Sequence, residues 1–204
     1  MKAVFRLLAL VVSFAAGVAH GADTASIDQM LGKPDAPVTI IEYASLTCPH
    51  CAHFAETVIP KIKTDWVDTG KAKFLYRDFP TAPAELSVGA SMIAQCAGPE
   101  RYFGVLDLLF QTQEKWATAQ SPLDEMKHVL RIAGMTPDQV DSCLTRQDLA
   151  DAIQARAEDA AKKYGVDATP SLVINGKLFA GAQTYDEVDK ELIKAYAAAT
   201  AKKK

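Results

Sequence analysis

The amino-acid sequence predicts an α/β fold in which two halves of one sheet flank an all-helical insertion. Three observations predict it. A β-branched, apolar run over residues 38–43 (VTIIEY) leads straight into a helix start; residues 81–146 read as helix throughout; strand signals return only at Ser171, as two short runs joined by Asn175-Gly176. The order is therefore β-α-β, a block of helices, then β-β-α, with no internal repeat and no linker rich in Gly or Ser. It divides the chain into an export segment (1–22), a first part of the sheet domain (23–80), the helical insertion (81–146) and a second part of the sheet domain (147–204).

The elements follow in order. Lys2 and Arg6 precede an apolar run over 7–19 that only Ser13 interrupts, the pattern of a cleavable secretory signal. Gly17 and Ala19 suit cleavage after Ala19, and a cut at Gly21 or Ala22 is nearly as good. The run is shorter than the ~20 apolar residues that span a bilayer, so the reading is a soluble, exported chain rather than an anchored one. After the first strand, Thr47-Cys48-Pro49 supplies a capping residue and a proline at the first helical position, and the pattern stays helical to Asp68 with a kink at Pro60. Residues 73–77 (KFLYR) form a second strand, parallel to the first. In the helical block Leu86, Ala90, Ile93 and Ala97 share one face, and Phe103, Leu106 and Phe110 the next. Ser121-Pro122 and Thr136-Pro137 open helices, the latter with Gln139 as a capping box. A longer helix over 148–164 turns Leu149, Ile153, Ala157 and Ala160 inward and stops at Gly165. Residues 171–174 and 177–180 pair across Asn175-Gly176, and Thr184 with Glu187 caps a last helix.

Composition narrows the function classes. Of 204 residues 49% are hydrophobic and 23% charged, with 21 Gly plus Pro and four Cys, which excludes a disordered chain, a fibre and a disulfide scaffold. The net charge of −3 gives no footprint for nucleic acid, and Lys202 to Lys204 read as a solvated tail. No Gly-rich phosphate loop, G-x-S-x-G or H-E-x-x-H motif is present.

The chemistry concentrates at Cys48-Pro49-His50-Cys51, directly after the first strand. A helix start directs unpaired N–H groups and partial positive charge at its first side chains, so a thiol there ionises more readily. Three residues on, Cys51 returns to nearly the same face, placed to resolve a mixed disulfide formed by Cys48. His50 adds a titratable group beside the thiolate. A Cys48 pKa of about 4.5 in place of ~8.5 would favour the dithiol at pH 7 by about 3.4 kcal/mol, or ~70 mV toward an oxidising disulfide. Two other readings stand beside this one: a zinc site completed by His53, against which Cys96 and Cys143 lack knuckle spacing, and an inert disulfide.

With these residues the chain resembles the DsbA-like thiol:disulfide oxidoreductases of the bacterial periplasm, a thioredoxin fold with an inserted helical domain. The tetrapeptide is that of typical DsbA, and Thr169-Pro170, just before a returning strand, resembles the family's cis-proline loop. The resemblance spans nearly the whole mature chain. It implies Cys48 as exposed nucleophile, Cys51 as buried partner, peptide contact at Thr169 and Pro170, no cofactor beyond the Cys48–Cys51 disulfide, and a monomer acting on reduced exported proteins with a membrane partner of DsbB type. It implies a cis Thr169–Pro170 bond, where base rates alone favour trans. It places Glu42, six residues before Cys48, where the family has a buried acid that assists proton transfer, with Lys73 and Arg77 as candidate partners; from the residues alone a carboxylate amid VTIIEYA needs a partner or a raised pKa if buried, and a strand-edge carboxylate facing water is the alternative. One departure is Thr169, where typical DsbA has valine; threonine there resembles the isomerase and reductase branches. Substrate oxidation, isomerisation or reduction, and a peptide-holding chaperone role are the competing functions.

Cys96 and Cys143 fall near the ends of separate helices in the insertion. Export makes a bond between them reasonable, with two buried free thiols as the alternative reading. A bond closing about 48 residues would be worth roughly 4 kcal/mol, with a tuning effect on the first pair as a further expectation.

Overall fold

The computed structural model describes residues 27–201; the predicted export segment with its candidate cleavage sites and the Lys202–Lys204 tail lie outside the described residues. A five-stranded sheet runs in the order β1-β3-β2-β4-β5, with β1 Gln29–Leu31, β2 Val38–Ala44, β3 Ala72–Asp78, β4 Ser171–Ile174 and β5 Lys177–Ala180. β2 and β3 are parallel, joined by a crossover through α1 (Pro49–Thr57), α2 (Ile59–Ile62) and a π-helical turn, Lys63–Val67. β4 returns antiparallel to β2. This topology, with the helical block between β3 and β4, is the thioredoxin fold with a helical insertion.

The edge strand β1 has no counterpart in the sequence reading. It is three residues long and antiparallel to β3. Asp28, at its start, accepts from Arg77 Nε and Nη2 at 3.0 and 2.6 Å and sits 2.8 Å from Arg156 Nη2, tying β1 to β3 and to α8 (Gln147–Tyr164). The long first helix is also divided differently. Val58 ends α1 and begins α2, and Pro60 lies inside the first turn of α2, where its missing N–H costs no bond.

The insertion comprises α3 (Ala84–Cys96), α4 (Tyr102–Gln111), α5 (Gln113–Ala117), α6 (Pro122–Leu130) and α7 (Pro137–Leu144). Ala90, Ile93 and Ala97 are buried on one face of the first of these, with Leu86 partly buried beside them, and Leu106 and Phe110 on the second. The Thr136 capping box forms: Gln139 N donates to Thr136 Oγ1 at 3.2 Å and Thr136 N to Gln139 Oε1 at 2.9 Å. Gly165 closes α8 at φ +74°, a left-handed conformation that a side chain would strain. Asn175 and Gly176 both have positive φ, the hairpin turn their sequence favours. Thr184 N donates to Glu187 Oε2 at the head of α9 (Tyr185–Ala201).

The sheet separates two apolar layers, and the alternation along β2 decides which residue enters which. Val38, Ile40 and Ala44 face α1 and the insertion, packing with Phe54, Leu109, Phe110 and Trp116. Ile41 and Tyr43 face the other way, against Ala160, Val166 and Val173. Each large side chain so buried contributes about 1.5–3 kcal/mol. Glu42 shares the parity of Ile40 and Ala44, so it is carried into the first layer, beneath α1.

Candidate active site

The site forms where β2 ends and β4 begins. Because these strands are antiparallel, with Tyr43 opposite Ser171, the residues after one and before the other meet at the same end of the sheet. Cys48 and Cys51 are both thiols here. Cys48 itself is the N-cap of α1, with extended φ/ψ of −87°/118°, and Pro49 takes the first helical position. The cap is therefore not Thr47, whose hydroxyl instead lies 3.0 Å from that of Ser45, which in turn meets Ser87 of α3 at 2.8 Å. This buried hydroxyl chain fixes the turn between strand and helix to the insertion.

Across from Cys48 the Thr169–Pro170 peptide is cis, and the Cys48 thiol donates to Thr169 O at 3.6 Å. The Ala82–Pro83 bond is also cis. Cys51 is completely buried, while Pro49 and His50 are exposed. The two thiols ionise at opposite ends of the scale. A hydrogen bond from Cys51 holds Cys48 down at about 5, against partial burial, helped by the Thr169 side chain and by the backbone N–H groups of Cys51 and His50. Burial, above all, pushes Cys51 well above the usual thiol range, and the hydrogen bond it gives to Cys48 adds to this. The His50 backbone N–H is thus one of the donors holding Cys48.

Glu42 is 2% exposed, which overturns the reading of a carboxylate facing water. Burial raises its pKa to about 8, with the Asp107 charge adding to it. Neither candidate partner reaches it. Lys73 donates to Pro34 O at 2.7 Å and Arg77 to Asp28 and Tyr43, because their register partners are Thr39 and Tyr43, on the opposite face from Glu42; Tyr76 is the residue level with it on β3.

Gln113 is a site residue that the sequence did not reveal. From α5 its buried amide donates to Leu46 O at 2.8 Å and to Cys48 O at 3.0 Å, holding both sides of the active turn. Gln113→Ala is expected to lower stability by about 1.5 kcal/mol in urea unfolding, since two buried acceptors lose a donor. An unchanged midpoint and slope would show that the turn holds itself.

Among the described residues no three His, Cys, Asp or Glu side chains are grouped as metal ligands, and no helix is long and apolar enough to cross a membrane. Cys96 and Cys143 are joined in a disulfide.

A family model described as Thioredoxin matches residues 24–195. The chain belongs to the thioredoxin family. Solved structures similar to it include Wolbachia pipientis alpha-DsbA1, with a TM-score of 0.79 and 29% identity over 87% of this chain and 94% of that one. BdbD from Bacillus subtilis, at TM-score 0.74 and 23% identity over 84% of this chain and 94% of that one, shares the fold. Among curated relatives, a putative protein-disulfide oxidoreductase of Rickettsia bellii is 29% identical over 73% of this chain and 57% of its own length, so this chain spans little more than half of it. Disulfide bond formation protein D of Bacillus subtilis is 28% identical over 81% of this chain and 75% of its own.

Proposed function

We propose that this protein is a thiol:disulfide oxidoreductase that donates the Cys48–Cys51 disulfide to reduced exported proteins. The observation that carries the reading is the opposed ionisation of two thiols three residues apart: one with its pKa held down at about 5 and exposed enough to be reached, the other buried and kept as a thiol. A substrate thiolate attacks Cys48 Sγ, the S–S electron pair leaves on Cys51 Sγ, and that sulfur takes a proton from the neutral carboxyl of Glu42. A second substrate thiolate then attacks the substrate sulfur of the mixed disulfide. The substrate leaves oxidised and Cys48 leaves as its stabilised thiolate. Thr169 and Pro170 offer the backbone edge on which an extended peptide lies beside Cys48. The basic-apolar start of the sequence supports export to the periplasm, and reoxidation by a membrane disulfide partner of DsbB type closes the cycle. The names of the curated relatives support this chemistry.

The depressed Cys48 pKa stabilises the dithiol form. That gain is complete above the ordinary thiol pKa of about 9 and is lost as pH falls through about 5. At pH 7 it amounts to about 2 kcal/mol once discounted for solvent screening, or about 40 mV toward an oxidising disulfide. Thr169 favours a second reading, an isomerase or reductase kept reduced. Equilibration in glutathione buffers with thiol trapping and intact mass decides between them. The expected potential lies near the −120 mV of DsbA, and a value near the roughly −270 mV of thioredoxin overturns donation in favour of the second reading.

A further inference from the structure

We propose that Asp107, held by Lys63, is the outer station of a proton route serving Glu42 and Cys51, so that the helical insertion contributes a positioning residue to the exchange reaction. The inference rests on the oxidoreductase reading above. Glu42 Oε1 is buried and finds no hydrogen-bond partner in the protein. It lines a cavity of about 10 Å³ whose other polar walls are Lys63 and Asp107, the remainder being apolar side chains such as Phe74, Leu106 and Phe110. That is about the room one water molecule needs. Lys63 and Asp107 also line a groove of about 810 Å³ on the outer surface between α1 and α4. They therefore stand in the wall shared by the inner cavity and the solvent-facing groove. Lys63 Nζ lies 3.9 Å from Asp107 Oδ2, and both side chains are partly exposed.

The chemistry needs such a path. When Cys51 Sγ leaves as a buried thiolate it is protonated by Glu42, and the resulting carboxylate, enclosed in apolar wall, must regain a proton from outside. Asp107 passes it inward through one water. On reoxidation the flow reverses: neutral Glu42 first releases its proton outward to Asp107, and its carboxylate then takes the Cys51 proton as Cys51 Sγ attacks Cys48 Sγ and the partner's sulfur leaves with the electron pair. The ionisable groups facing Glu42 are Cys51 from α1, Lys63 from the π turn, Tyr76 from β3, and Tyr102 and Asp107 from α4. Both tyrosines are kept neutral by burial, so the charge that changes with the proton's passage belongs to Asp107, Glu42 and Cys51. Asp107 has a pKa raised by burial against the pull of Lys63, which brings it toward that of its neighbour. Of these groups only Cys51 also holds the Cys48 thiolate; Lys63 and Asp107 do not.

The test measures stopped-flow oxidation of the reduced chain by oxidised glutathione, and the reverse reduction by dithiothreitol, from pH 5 to 9, alongside Cys48 titration by thiolate absorbance. Asp107→Asn is expected to slow the steps that move the Cys51 proton about fivefold, well short of the ~10²-fold or more of a group that transfers a proton to the reacting atom itself. It should also move the Glu42 inflection to lower pH, because a neighbouring negative charge is gone, and leave the Cys48 titration unchanged. Asp107→Glu should restore the rate. Lys63→Met should move the inflection the other way. A profile of Asp107→Asn that superimposes on the wild type, a shifted Cys48 titration, or no rescue by Asp107→Glu overturns the proposal while leaving the oxidoreductase reading intact. A wild-type chain that exchanges no thiols overturns both.

Discussion

Cys48→Ala is expected to lose disulfide exchange altogether, at least ~10³-fold below wild type, whereas Cys51→Ala should stall with substrate bonded to Cys48. The asymmetry follows from burial: Cys51, on the inner face of α1, is completely buried and reaches only Cys48, so it resolves but never initiates. The size of the Cys48 effect says which direction the site serves. At pH 7 a thiol titrating at about 5 is almost wholly thiolate, a gain of about a hundredfold in attacking species over one at 9. Nucleophilicity falls by nearly the same factor across four pKa units, since each unit costs 0.4–0.5 of a decade, so Cys48 gains little as an attacker. As a leaving group it gains outright, which is what a donor needs. Cys51→Ala carries a second expected outcome. The largest influence on the Cys48 pKa is its hydrogen bond from Cys51, so in that variant Cys48 should titrate clearly above pH 5. Thiolate absorbance against pH checks this, and a midpoint still at about 5 would assign the depression to the helix start and Thr169 instead.

Local patterns made much of this architecture legible. Caps such as Thr136 with Gln139, the Asn175-Gly176 turn and the β-branched, mostly apolar β2 are written in neighbouring residues, and the Cys48-Pro49-His50-Cys51 motif is compact enough to show its chemistry before any fold is known. What escaped is long-range. Three residues of β1 are too few for an alternation to register, and the strand exists because Asp28 clamps to arginines 49 and 128 positions away. Lys73 and Arg77 are candidate partners for Glu42 by resemblance, and only the register shows that both occupy the odd face. Gln113 acts on a turn 65 residues earlier, and Asp107 on a strand as far back, through side chains whose own surroundings in sequence are an ordinary helix. The same logic separates Thr47 from the cap: capping propensity favours its hydroxyl, but the hydroxyl chain to Ser45 and Ser87 claims it and leaves Cys48 at the helix mouth.

Replacing Cys96 and Cys143 together by alanine is expected to lower the unfolding free energy by about 4 kcal/mol and the melting temperature by roughly 10 °C. The bond joins the end of α3 to α7 across 47 positions, enclosing most of the insertion. Without it the unfolded chain regains the freedom of that loop, so the cost arises mainly in the unfolded state, and the denaturant slope should rise as that state exposes more surface. A smaller loss comes from the folded side, where Cys143 packs with Met92, Leu149 and Ile153 and alanine leaves a gap. Comparing wild type and double variant with Cys48 and Cys51 in the same redox state isolates the effect, and equal melting temperatures would remove the bond's stabilising role. The active-site potential is a separate readout of the same pair of proteins. The Cys48 thiolate is held by Cys51, Thr169 and main-chain N–H groups, none of which touches the second bond, so removing that bond should leave the potential in place. A shift would mean that α3 transmits strain from Cys96 to its other end, where the Ser87 hydroxyl meets Ser45 beneath the active turn.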